Sequence, residues 1–223
     1  TPSESRCLMN DDSEIASIPK FPLERLSKFH SPANTPISGS ISLVENISAL
    51  IFPESSRNRV DFRVQSRYLV KESTRFVLKF SHWTGQGVQG YPWIYAEYNG
   101  HRLPARVQGR PFWINDRRCF IVDLGEEIPS GKYFNLVTQS LYVDELNVFH
   151  PYIAHRVDGT LSKMGIVAAF SNPPSNAYYG YLPLGSKTPE NMLKLNSCKR
   201  FGYTAFQYEQ LNISKQGYYC IYW

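Results

Sequence analysis

Arg59-Val60-Asp61-Phe62-Arg63-Val64-Gln65 decides the fold, because polar and apolar residues alternate along it without a break. A two-residue period places one face of an extended chain in a core and the other in water. Arg75-Phe76-Val77-Leu78-Lys79-Phe80 is read the same way. Strand-like segments then recur almost to Trp223: 40–52, 59–70, 75–82, 93–99, 102–108, 118–124, 132–143, 164–170, 177–182, 202–208 and 217–222. Asn99-Gly100, between Ile94–Tyr98 and Leu103–Val107, is the strongest hairpin signal, and Pro129-Ser130-Gly131 is a second turn. Pro104 puts its strand at an edge or a bulge. So many strands with so little helix predict an all-β protein. The expected form is a jelly-roll-like antiparallel β-sandwich over 40–223, preceded by an extended N-terminal arm over 1–39.

At 223 residues the chain suits one large β domain, or at most two small ones. A hydrophobic content of 42% with 19% charged residues is that of an ordered chain with a full core, not a disordered one. The net charge of +5 permits contact with nucleic acid or an anionic surface without demanding it. Cys7, Cys119, Cys198 and Cys220 are far apart, with no CxxC pair, which argues against a zinc site. No run approaches the ~18 apolar residues of a membrane span. Thr1–Arg6 shows no signal-peptide h-region.

The arm is rich in Ser and Pro but also carries Ile18, Phe21, Leu23, Leu26 and Phe29. These side chains are too apolar to prefer water, so the arm is expected to be ordered on another surface. A short helical turn is expected around Leu23–Leu26.

Little in the sequence points to catalysis. His150, His155 and Asp158 form the only acid–base candidate; the two histidines are five apart, not the i, i+4 of a helical metal motif, and Pro151 argues against a helix. Ordinary loop hydrogen bonding is the simpler reading. There is no GxSxG elbow and no phosphate-binding Gly-Lys-Ser/Thr loop. No catalytic residue, metal or cofactor is therefore expected. Trp83, Trp93 and Trp113 sit near loops and are candidates for a stacking surface, with core packing as the plainer alternative. Arg102, Arg106, Arg110, Arg117 and Arg118 form a basic cluster suited to polar contacts with RNA or another partner. Asn46-Ile47-Ser48 and Asn212-Ile213-Ser214 match the glycosylation triplet.

The layout of arm and sandwich resembles a picorna-like icosahedral virus capsid protein. The resemblance rests on Ile15–Leu26 in the arm and on the strand pair 59–65 and 75–81. It implies a structural subunit of a non-enveloped shell, found in the virion, that encloses RNA by weak non-specific contact. The implied partners are other capsid subunits and a host receptor. Ile18, Phe21, Leu23, Leu26 and Phe29 would then make inter-subunit contacts. The alternative is a secreted or extracellular β-sandwich that binds glycan or protein through Trp83, Trp93 and Trp113. In that form it would be glycosylated at Asn46 and Asn212 and could carry a Cys198–Cys220 disulfide.

Overall fold

A computed structural model describes residues 19–26, 40–81, 83–114 and 117–223. The alternation at 59–65 belongs to a longer strand, β2 (Arg59–Val70), whose even-numbered residues face inward. β2 lies in a large sheet with β1 (Ile41–Phe52), β4 (Gly87–Gln89), β5 (Trp93–Tyr98), β6 (His101–Arg102), β9 (Tyr133–Asp144), β11 (Leu161–Phe170), β14 (Ser197–Arg200) and β15 (Tyr203–Ile213). The strand order is β14-β15-β11-β1-β2-β9-β5-β6, with β4 also on β9. Two smaller sheets pack against its inner face. One has the order β10-β16-β12-β13, from Tyr152–Val157, Gly217–Tyr222, Tyr178–Pro183 and Glu190–Lys194. The other has the order β3-β8-β7, from Thr74–Ser81, Arg117–Ile128 and Arg106–Ile114.

The all-β sandwich expected from the sequence is thus present, and its topology is more specific than the expectation. One broad sheet carries two small ones, where a jelly roll divides its strands between two sheets. One pairing is parallel: β1 runs alongside β11, with Ala49 opposite Val167. Asn99-Gly100 makes the expected tight turn, with both residues at positive φ (50° and 76°), as a type I′ turn requires. The strand expected over 102–108 is split. β6 ends at Arg102, and after Pro104 the chain leaves the large sheet and enters the three-stranded one as β7.

Each small sheet closes its own core. Phe52, Met164, Phe170 and Ile221 fill the core under the four-stranded sheet. Val77, Leu124, Phe134 and Leu136 fill the core under the three-stranded sheet. β2 serves both, giving Val60 to the first and Tyr68 and Val70 to the second. In β3 the inward positions are Val77 and Lys79, so the face carrying Phe76, Leu78 and Phe80 is not the core face. Lys79 reaches the inner face of β2, where its ammonium donates to Tyr68 Oη at 2.7 Å and to Ser66 Oγ at 3.3 Å.

The arm corrects an expectation. α1 (Leu23–Leu26) is a single turn lying on the outer face of the four-stranded sheet. Leu26 is fully buried there, among Tyr178, Leu182, Tyr218, Cys220 and Tyr222, with Phe21 and Leu23 packed alongside. Phe21 meets the Tyr222 ring edge-on at 5.4 Å. Gly180 makes room for it, since a Cβ there would stand 2.6 Å from the Phe21 ring. Leu26 is therefore covered by its own chain, and Phe21 and Leu23 are half-buried beside it. This second cover explains why every residue of β16 is buried. Ile18 and Phe29 lie outside the described residues.

Asp123 fastens the three-stranded sheet. Its buried carboxylate accepts from Arg75 Nε at 2.7 Å and Arg75 Nη2 at 3.0 Å, and from the Gly125 backbone N–H at 2.9 Å. The hydrogen bonds from Arg75 hold its pKa below the usual carboxylate value. A depressed folded pKa means stability that is present above the unfolded value of about 3.9 and is lost as pH falls through the lower folded one. Asp123→Asn is expected to lower the urea midpoint at pH 7 and to flatten its fall below pH 4. Parallel acid limbs for the two proteins would refute this.

Candidate functional site

The structure sets His150 apart from the other two residues of the acid–base candidate, while His155 and Asp158 border one hollow. His155 faces inward from β10, and its Nδ1 lies 3.2 Å from Asn46 Nδ2 on β1. Asp158 is engaged by Arg156 Nε at 2.6 Å. His150 belongs to the loop before β10, where its backbone N–H donates to Thr84 Oγ1 at 3.1 Å, and it lines a different surface hollow beside Lys20 and Phe21. Burial lowers the His155 pKa to about 4, with the Lys79 charge acting in the same direction and Asp158 against it. Among the described residues, no group of three or more His, Cys, Asp or Glu side chains is placed to hold a metal ion.

Asn46 is a second correction. It is 3% exposed, and its amide is committed to Ser48, Ser66 and His155. A residue buried in this way on the inner face of β1 cannot carry a glycan in the folded protein. Asn212 is exposed near the end of β15 and remains open to modification. Cys119, Cys198 and Cys220 are free thiols. Cys198 and Cys220 belong to different apolar clusters, so the disulfide considered for the alternative reading is not formed.

The three tryptophans have different fates. Trp83 is a core residue. Its ring stacks on Phe149 at 4.8 Å and lies against Tyr142 at 4.9 Å. Trp93 and Trp113 are 53% and 59% exposed, and Tyr91 is 60% exposed. β4 and β5 both pair with the same side of β9, and the register sets Val88 opposite Val143, Trp93 opposite Gln139 and Tyr95 opposite Val137. These side chains lie on the outer face, because Ile94 and Ala96 between them fill the second core. The Trp93 and Tyr95 rings stack at 6.4 Å, and the Arg102 guanidinium lies over Tyr95 at 5.5 Å. Tyr91 Oη donates to the Gly109 carbonyl at 2.8 Å, which ties this segment to β7. Phe112 and Trp113 follow on β7, both exposed.

The basic cluster divides along the same line. Arg102, Arg106 and Arg110 are exposed around the aromatic end. Arg118 is buried and structural, donating to the Gly90 carbonyl at 2.8 Å. Arg117 lines an internal cleft. Trp113 and Arg118 are cross-strand partners and share a face, so the Arg118 bond to Gly90 sets Trp113 on the side of the Tyr91 segment. Trp93, Tyr95 and Arg102 thus form one aromatic and arginine group on the outer face of the large sheet.

No protein family matches the chain, and no curated protein does. Among solved structures, an M1 zinc metallopeptidase from Deinococcus radiodurans is 10% identical, with a TM-score of 0.45, over 82% of this chain and 42% of that one. A protein described as a putative protease from Parabacteroides distasonis is 8% identical, with a TM-score of 0.44, over 83% and 41%. A protein described as a putative nutrient binding protein from Legionella pneumophila is 8% identical, with a TM-score of 0.41, over 82% and 67%. The chain spans less than half the length of the two peptidase structures. Likeness at this level assigns no family and no activity. Among the described residues, no helix is long and apolar enough to cross a membrane.

Proposed function

We propose that this chain is a non-catalytic recognition module that acts by protein–protein contact, with the aromatic and arginine end of the large sheet as its contact surface. The observation that carries the reading is the exposure of Tyr91, Trp93 and Trp113, with the Arg102 guanidinium over the Tyr95 ring next to Trp93. Tyr, Trp and Arg dominate the energetic centres of interfaces, and side chains of this size are costly to leave in water. A capsid subunit is the special case in which the partner is a further copy. In that case the same surface would make the contacts, since the described part of the arm is used internally.

The test is the mass of the native protein from its source, by light scattering with negative-stain imaging, beside a chain carrying Trp93→Ser and Trp113→Ser. The native protein is expected in a complex larger than one chain, and the double variant is expected to leave that complex while keeping its melting temperature. A spherical megadalton particle with RNA would identify the shell form, and a complex with a few other chains would identify a recognition domain. A native monomer, or a double variant that still assembles, would overturn the proposal.

A further inference from the structure

Among the described residues, no strand pairing joins the two small sheets. Between the edge strands β3 and β10, over the floor made by β1 and β2, lies a cleft of about 310 Å³. That is at the lower end of the range of about 300–1,000 Å³ typical of small-molecule sites. Phe62, Phe149 and Trp83 supply apolar walls, and Asn46, Lys79 and His155 supply polar ones. Among the described residues, no Asp or Glu lines it.

A chain of hydrogen bonds fixes which polar atoms remain available. The Lys79 ammonium can only donate, so Ser66 Oγ accepts from it and turns its own proton to Asn46 Oδ1, 3.1 Å away. The Asn46 amide must then present Nδ2 to Ser48 Oγ at 2.9 Å and to His155 Nδ1 at 3.2 Å. His155 Nδ1 is thereby the acceptor. The ring is neutral near pH 7 because burial depresses its pKa. Its single proton is therefore on Nε2. That atom is shielded from solvent and has no hydrogen-bond partner. An N–H left this way is costly unless something accepts from it. Lys79 likewise uses two of its three donors on Ser66 and Tyr68 and has no carboxylate partner among the described residues.

We propose that the cleft binds a small organic anion, a carboxylate on an apolar body. The Lys79 ammonium holds the carboxylate, the His155 ring lies beside it in the wall, and Phe62, Trp83 and Phe149 pack on the body. The site offers the positive charge of Lys79 and aromatic walls that exclude water around it. Neither Trp93 nor Trp113 takes part, so the site stands independently of the contact surface.

Calorimetric titration of the full chain with sodium octanoate and with 1-octanol tests this. Octanoate is expected to bind and to shift the ring resonances of His155, and octanol is expected to bind about tenfold to a hundredfold more weakly, the worth of a charge-assisted hydrogen bond. Lys79→Met is expected to weaken octanoate by a similar factor and to leave octanol unchanged. Equal affinity for acid and alcohol, undiminished binding by the variant, or no octanoate binding at millimolar concentration would each overturn the proposal. Should Lys79→Met fail to fold, the acid-to-alcohol ratio and the His155 shift in the unaltered chain decide the matter.

Discussion

Leu26→Ala is expected to lower the unfolding free energy by about 2–5 kcal/mol, the usual loss for a fully buried leucine. The corresponding fall in melting temperature is roughly 2–4 °C per kcal/mol for a chain of this size. The size of the effect follows from position. Leu26 is the most buried residue of a layer that seals the outer face of the four-stranded sheet, where Tyr218, Cys220 and Tyr222 project from β16. A truncated side chain leaves a cavity between the arm and the sheet, and the single turn of α1 has few other contacts to compensate. The experiment also separates two uses of the arm. A segment exchanged between chains would make stability rise with protein concentration. A segment folded on its own sheet gives a midpoint independent of concentration, and that is the expectation here. Urea titrations at two concentrations, for both proteins, read both quantities. An unaltered midpoint for the variant, or a concentration-dependent one for the parent, would refute this account of the arm.

Phe52→Ala is expected to cost about 3–5 kcal/mol. The Phe52 ring stacks on Phe170 at 4.9 Å and meets Trp223 near-perpendicularly at 5.8 Å, and Phe149 lies 5.7 Å away. Aromatic pairs of this kind add about 0.5–1.5 kcal/mol each beyond the area they bury. Trp223 closes the cluster from the end of the chain, where its backbone N–H donates to the Pro151 carbonyl at 3.1 Å. Removing Phe52 should therefore loosen Trp223 as well, with a red shift of its emission and a loss of near-ultraviolet circular dichroism. Phe76→Ala, on the outer face of β3, is expected to cost much less. Equal losses at the two positions would mean that the aromatic cluster is not the centre of this half of the molecule.

Much of the fold was legible because strand period and turn chemistry are local. β2 and the Asn99-Gly100 turn follow from neighbouring residues alone. The parallel pairing of β1 with β11 does not, since the two strands lie far apart in the chain and nothing local marks which strands will adjoin. The same limit explains the arm. Its apolar residues announce that something must cover them, yet covering by Tyr178 and Tyr222 of the same chain leaves no trace in residues 19–26. Lys79 was misplaced by polarity, because a lysine in a period-two segment is assigned to the water side. Here Ser66 and Tyr68 meet its ammonium on the inner side. Asn46 was misread for a related reason: its triplet advertises a surface modification, while its amide bridges β1 to His155. His155 itself was judged by its spacing from His150, which carries no information on a strand. Trp93 and Trp113 were readable as candidates, but only the packing of Trp83 against Tyr142 and Phe149 separates it from them.

The presence of two cores under one sheet has a consequence for how the molecule can change. Phe52, Phe170 and Trp223 lock one half, and the arm seals it from outside. The other half, under β3, β8 and β7, is built on the strands that run beneath both. Exposed residues on β5 and β7 can therefore be exchanged without disturbing the aromatic cluster. Residues exposed on the second half are free to change while the packing of the first stays as it is.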